Sequence, residues 1–311
     1  MGAEQITTSH DMPTQPPVVT AGSGNHNGSR NGSWRNRRWP AWLGLPVRYA
    51  GLIFFAAVTA FPFLWALSVG LSVDPSGIWQ FPQAFWPQDP GWYWFGRVIH
   101  DMPFFTYLKN SLIMAGMTVV ATLALAIPAG YALAQMEFAG RKLLFGVLLA
   151  TLMVPMEVGI VPNFLTLSGL GWIDSYAAAV LPNIASAFGV FLMKQYFEEL
   201  PGEVLEAARV DGASEWQVLW RIAVPMSWPA VGTLAIFTLV TAWNDYLWPA
   251  VVLYDRMKMP ITVGIFNDLT GPFAVSTSLV MAAIMLAMLP VLACFAITQR
   301  LFLAGVMDTR A

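Results

Sequence analysis

The chain has 311 residues, of which 57% are apolar and only 11% charged, with 14 Trp, 20 Phe and 16 Met. A soluble domain carries about 25% charged residues, so a water-soluble protein is excluded as the starting class, and an all-α membrane protein takes its place. The formal charge of −2, with no block of like charges, sets nucleic-acid partners aside.

Residues 1–45 form a small, polar stretch from Gly22 to Ser33 and its flanks that cannot bury enough apolar surface to offset its chain entropy. It is expected to be a disordered cytoplasmic tail. It is not a signal peptide, because no apolar run follows a basic start within the first thirty residues. Arg35, Arg37, Arg38 and Arg48, interleaved with Trp34, Trp39 and Trp42, then place cations and amphipathic rings at the level of lipid headgroups.

Residues 46–311 hold six apolar segments long enough to span a bilayer: Val47 to Val73, Asn110 to Met136, Leu143 to Leu167, Tyr176 to Phe197, Pro229 to Tyr254 and Val275 to Thr298. With the amino terminus inside, the inner segments hold 12 Lys and Arg and the outer loops 4. The positive-inside rule therefore predicts both termini in the cytoplasm. Pro62, Pro128, Pro155, Pro162, Pro182, Pro249 and Pro290 fall within the spans and predict bent or broken helices. Ala126, Gly130 and Ala134 put small residues on one face of the second span, permitting close helix contact.

The outer loop before that span is rich in rings, Trp79, Phe81, Phe85, Trp86, Trp92, Tyr93, Trp94 and Phe95, and reads as an interfacial aromatic belt or a docking surface. Cys294, alone in an apolar run, reads as packing. No metal-ligand or nucleophile motif is present, and an intramembrane enzyme loses its main supports.

The only sizeable polar segment between spans is 198–229, placed inside by the topology. Pro201 suits a first helical turn, Glu203 and Glu206 complement the positive helix end, and Gly212 suits the left-handed residue that stops a helix. Ser214 with Gln217 predicts a capping box opening a second short helix, and Pro225 its far limit. Trp216, Leu219, Trp220 and Ala223 form one apolar stripe on it.

Glu206, Ala207, Ala208, Asp211, Gly212 and Ala213, followed by Ile222 and Pro225, resemble the EAA motif of ABC importer permeases. The resemblance extends from about residue 48 through stretches such as NSLIMAG at 110–116, MVPMEVGIVPNFL at 153–165 and WNDYLWP at 243–249, and it points to the MalG-type permeases of carbohydrate importers. It departs from that family in the long amino-terminal tail and in the ending Met307 to Ala311.

The resemblance implies a six-span, MetI-like fold in the cytoplasmic (inner) membrane. It also implies a second, MalF-type permease subunit, two ATP-binding subunits docked on Glu206 to Ala213, and an extracytoplasmic solute-binding protein. No GxxxxGK[ST] loop occurs in the chain. ATP and Mg would then be bound by the partner ATPase, with no cofactor on this chain, and transport would proceed by alternating access of a bistable bundle.

Glu157 in the third span and Asn244 and Asp245 in the fifth are polar intruders, expected to face the bundle interior, a water-filled cavity or a partner. With Tyr246 and Trp248 they combine hydroxyl-binding groups and aromatic faces suited to sugars, although WNDYLWP is shared by permeases of differing substrate, which favours gate or interhelix contacts. Asn110, Asn163 and Asn183 read as structural. No Lys or Arg lies deep in a span, so a neutral sugar or polyol fits better than a phosphate ester. The competing reading is an ion-coupled secondary transporter with Glu157 or Asp245 as its proton or cation site.

Overall fold

The computed structural model describes residues 41–74, 86–87, 89–269 and 276–308. The tail expected over 1–45 lies outside these through residue 40, while 41–45 are already helical. Trp79, Phe81, Phe85 and the end of the chain from 309 also lie outside them. The helices in chain order are α1 Ala41–Leu71, α2 Tyr93–Asp101, α3 Phe104–Gln135, α4 Arg141–Thr151, α5 Ile160–Gly169, α6 Tyr176–Val180 and α7 Ala187–Glu198. They continue with α8 Gly202–Val210, α9 Glu215–Val218, α10 Val224–Met226, α11 Trp228–Asn244, α12 Leu247–Val252, α13 Ile261–Leu269 and α14 Thr277–Asp308. No strand occurs among the described residues; Ser72 and Pro90 form an isolated bridge.

The chain divides into two compact units, 1–55 and 56–311. In the first, the described residues form the opening turns of α1, where Leu52, Ile53, Phe54 and Phe55 stay exposed, as a lipid-facing helix requires.

In the second unit, α3 is an unbroken 32-residue helix and α14 is equally long. Two further crossings are bent pairs, Arg141–Thr151 with Met156–Gly169 at 95° and Tyr176–Asn183 with Ala187–Glu198 at 47°, and a third holds Trp228–Asn244, which meets Glu215–Met226 of the segment between spans at 81°. With α1 these make six. The expected third and fourth spans are therefore each two pieces, and the fifth runs as α11 and then, after a break at Asp245–Tyr246, as α12. Proline position decides the third break. Pro155 forces its predecessor out of helical geometry and opens a 3-10 turn at Met156–Gly159, whereas Pro128 and Pro290 are absorbed inside continuous helices.

The small-residue face of α3 is used as the spacing predicts. A Cβ on Gly130 would stand 2.7 Å from Met193 Cβ on α7, and one on Gly189 would stand 3.2 Å from Ala126 Cβ. The two helices thus touch through backbone. Around them an inner core gathers Tyr131, Met193 and Phe197 with Leu205, Val218, Leu219 and Ala223 of the 202–226 segment.

The outer half holds two helices that the spans do not announce, α2 and α13. Trp94 and Phe95 of α2 are buried with Val98, Tyr107, Ile261 and Leu279, while Trp92 and Tyr93 stay exposed, so the expected aromatic belt is split between core and surface. Trp94 Nε1 donates to the Ser72 carbonyl at 2.8 Å, which satisfies the indole on burial. Cys294, expected in packing, is exposed on α14.

Asp174 ties two outer loops together. Its backbone is left-handed at φ 60°, its carboxylate accepts from the amides of Tyr254 and Asp255 at 2.9 Å each, and Lys258 Nζ donates to it at 2.8 Å. Burial opposes its ionisation, but the Lys258 ammonium and the two amides outweigh that and hold the carboxyl below its ordinary range. A carboxyl lowered in the folded state stabilises above its unfolded pKa of about 3.9, and the contribution is lost as pH falls through the folded value. Protection of the Tyr254 and Asp255 amides from exchange should therefore be high near neutrality and fall in acid below about pH 4. Asp174→Asn, which tolerates the left-handed backbone, should show the weakened protection at every pH. Equal, pH-independent protection in both proteins would remove the clamp.

Candidate functional site

The segment 202–226 is built from local capping chemistry. Pro201 stands one residue before α8, as its cap at φ −58°, and Glu203 lies in the first turn. At the far end the Ala213 amide donates to the Ala208 carbonyl and the Gly212 amide to the Arg209 carbonyl, each at 3.0 Å, with Gly212 at φ 85°. This is a Schellman closure with glycine where a side chain would be strained. Ser214 and Gln217 form the expected capping box, each receiving the other's backbone amide.

The second helix ends at Met226, one residue past the limit expected at Pro225. The backbone widens to a π turn at Leu219–Ala223, with the Val224 amide on the Leu219 carbonyl, and the helix runs on to Met226. The wider turn moves carbonyls away from the proline ring, which would otherwise meet the one four residues earlier. The apolar stripe is split: Leu219 and Ala223 are buried beside Val218, while Trp216 and Trp220 stay exposed and meet edge-on at 5.7 Å.

Exposure then sorts the motif residues. Leu205 is fully buried and roots α8 in the inner core, while Glu206, Ala207, Asp211 and Gly212 are exposed and Ala208 and Ala213 half-buried. Val210 at the tip is 87% exposed. Beneath the tip, Arg209 forms a two-point ion pair with Glu215 at 2.7 and 3.2 Å, and the Tyr131 hydroxyl of α3 donates to the same carboxylate at 2.7 Å. The pair holds the Arg209 guanidinium even more firmly protonated than usual.

A second feature is an open cavity of about 840 Å³ between α3, the third-span break, α7 and α11. Glu157, Asn244, Asp245 and Trp248 all line it. Tyr246 does not, and packs instead against Phe266 with ring centres 4.9 Å apart and the rings tilted by 59°. Glu157 sits exposed on the 3-10 turn that Pro155 opens, and Asp245 stands in the α11–α12 break. The Asp245 carboxylate accepts from Asn183 Nδ2 and the Trp248 amide at 3.4 Å each, and its carbonyl accepts from the Thr262 hydroxyl at 2.9 Å. Trp248 Nε1 donates to the Ala178 carbonyl at 2.9 Å, leaving the ring as an apolar wall.

Sequence reasoning missed the hydroxyls of the cavity. Thr118 and Thr122 line it from α3, and Thr238 and Thr241 from α11. Threonine is common in membrane helices because its hydroxyl can bond the preceding turn, as Thr118 does to the Met114 carbonyl at 2.9 Å, so composition carries no signal. The spacing of four between Thr118 and Thr122 was the available clue. The Thr122 hydroxyl is buried and has no hydrogen-bond partner among the described residues. Asn163 and Asn183, read as structural, also line the cavity. No lining residue is Lys or Arg.

The family of binding-protein-dependent transport system inner membrane components matches residues 126–307, which contain both the 202–226 segment and most of the cavity wall. The chain belongs to that family. This permease is 33% identical over 265 residues to the sn-glycerol-3-phosphate transport system permease protein UgpE of Yersinia enterocolitica, covering 83% of this chain and 94% of that one. It is 35% identical over 202 residues to the arabinooligosaccharides transport system permease protein AraQ of Bacillus subtilis, covering 65% and 72%. Among solved structures, a chain of a bacterial ABC transporter involved in import of the acidic polysaccharide alginate superposes with TM-score 0.74 at 27% identity, over 84% of this chain and 97% of that one.

The fold of the permease is thus that of an ABC importer's membrane subunit, and its place is the inner membrane. It is a transport subunit rather than an enzyme. The family match selects this reading over the ion-coupled transporter weighed for Glu157 and Asp245.

Proposed function

We propose that this permease moves a sugar or related polyol inward by alternating access, driven by separate ATPase subunits that dock on Glu206 to Ala213. The observation that carries the reading is the shape of the turn: a closed, exposed tip at Val210–Gly212 standing on a helix whose Leu205 is fully buried. Such a tip can receive a push without unravelling and pass it into the core. Ala207 and Ala208 allow close approach of a partner, and the exposed Glu206 offers a carboxylate to a basic residue there. In this reading ATP and Mg sit on the ATPase, the permease has no nucleotide site of its own, and a MalF-type second permease and an extracytoplasmic solute-binding protein complete the importer.

The substrate class follows from the cavity. Glu157, Asp245, three asparagines and several threonines supply acceptors and donors for hydroxyls, and Trp248, Phe188 and Phe237 supply apolar faces for sugar rings. Two carboxylates with no lining cation favour a neutral solute over a phosphate ester or a uronate.

Tagging this chain in its native membrane and recovering the complex tests the docking. Wild type should bring an ATPase with it, and Glu206→Lys should lose most of that ATPase while remaining in the membrane at normal level. Full recovery of the ATPase with Glu206→Lys would remove Glu206 from the contact. Cells deleted for the chain should lose uptake of a neutral oligosaccharide and keep that of sn-glycerol 3-phosphate; the reverse pattern overturns the substrate class.

A further inference from the structure

We propose that α3 carries the movement of the coupling turn across the membrane to the outer segment 256–268, with Tyr131 as its inner attachment and Tyr107, Asn110 and Ser111 as its outer one. The inference rests on the reading that an ATPase docks at Glu206 to Ala213.

Continuity singles α3 out. Its 32 residues rise about 48 Å at 1.5 Å each without a break, whereas the crossings built from α4–α5 and α6–α7 bend by 95° and 47° and the fifth is broken between α11 and α12. A bent crossing yields at its break, and a continuous helix moves as one body. To the core beneath the coupling turn α3 contributes Ala126, Ile127, Tyr131 and Leu133.

Both ends of α3 are pinned by hydrogen bonds. At the inner end the buried Tyr131 donates to Glu215, Glu215 grips Arg209 at two points, and the Arg209 carbonyl accepts the Gly212 amide, which leads to the exposed tip in three bonded steps. Pro128 removes one backbone bond just before this end, and the Gly130 contact with Met193 braces that turn. At the outer end, successive positions on one helical turn hold the later segment. The Tyr107 hydroxyl donates to Asp268 at 2.8 Å and accepts from Arg256 at 3.0 Å. Asn110 Nδ2 donates to the carbonyls of Met257 and Met259 at 2.8 and 2.9 Å, and Ser111 Oγ accepts the Ile261 amide at 2.8 Å.

None of the residues in these bonds lines the cavity, so Tyr131 is a positioning residue whose hydroxyl matters only as an attachment. Because coupling between two sites is reciprocal, an event at 256–268 on the outer face biases the inner turn through the same helix.

Hydrogen exchange on the intact importer tests this. The complex, recovered through a tag on this chain and placed in lipid discs, is followed at the amides of 254–268 with and without ATP plus vanadate, a mimic of the phosphoryl transition state. In wild type the nucleotide should change protection there. In Tyr131→Phe the nucleotide-dependent change should shrink by roughly 5-fold or more, with the ATPase still recovered at wild-type yield. Tyr107→Phe, which leaves the coupling turn intact, should likewise reduce the response. A wild-type response in both variants, or none in wild type with its ATPase bound, overturns the role of α3. Failure of wild type to bring an ATPase at all instead strikes the docking reading itself.

Discussion

Gly212→Pro should abolish uptake while the chain still reaches the membrane. Gly212 has φ 85°, and the proline ring fixes φ near −65°, so the Schellman closure cannot form. The substitution also deletes the amide that donates to the Arg209 carbonyl at 3.0 Å, and it displaces Ala213, whose amide caps Ala208. The exposed tip at Val210 then loses its fixed orientation. A coupling free energy of about 1–3 kcal/mol corresponds to roughly 5–150-fold in the coupled event, so a loss of at least tenfold in uptake is expected. Gly212→Ala separates strain from chemistry. A Cβ there meets nothing within 4 Å, so only the left-handed backbone is penalised, by roughly 1–2 kcal/mol, and uptake should fall partway. Solute uptake by cells, with membrane content of the chain as control, measures both variants. Normal uptake in Gly212→Pro would remove the turn from the coupling path.

The second large effect is expected at Gly264, on the opposite side of the membrane from the coupling turn. A Cβ there would lie 2.3 Å from Cδ2 and Cε2 of the Tyr107 ring, far inside contact distance. Tyr107 is fully buried, and its hydroxyl is held by Asp268 and Arg256, so the ring has no room to retreat. Gly264→Ala should therefore destabilise by about 3 kcal/mol, at the upper end of overpacking costs. The thermal midpoint of the solubilised protein should drop by about 6 °C or more. The steric origin has its own test. In a Tyr107→Ala background, where the ring is gone, adding Gly264→Ala should cost little more, and this non-additivity is the signature of one shared contact. Additive losses would point to a backbone effect instead.

The parts of this protein that were legible beforehand share a property: each depends on a short window of chain. Lipid offers the backbone no hydrogen bonds, so a span must satisfy itself as a helix, and the length of an apolar run reports it directly. The capping box at Ser214 and Gln217 and the left-handed Gly212 are equally local, set by groups three to five residues apart. Where local rules competed the outcome was mixed: at Pro225 the chain stays helical through a π turn, with Val218, Leu219 and Ala223 buried in the inner core, and ends one residue later at Met226. At Pro155 the proline prevailed, because nothing around the 3-10 turn buries enough to hold the helix straight.

The candidate site divides along the same line. Sequence spacing predicted the exposed turn at Gly212 and the capping box after it, and it named Glu157, Asn244, Asp245 and Trp248 because ionisable and amide groups in a span demand a reason. It misplaced Tyr246, which packs on Phe266, and it passed over the cavity threonines, which look like ordinary helix residues until α3 and α11 are set face to face.

What the sequence by itself determined, then, is the number of crossings and the chemistry of the turn between the fourth and fifth, since both are written in contiguous residues. The tertiary structure alone decided the bend angles, the burial of α2 and α13, the gathering of the cavity wall, and the attachment of Tyr131 to Glu215 and of Asn110 to Met257 and Met259. Those partners lie 84, 147 and 149 residues apart, and no periodicity along a chain encodes a contact at that separation.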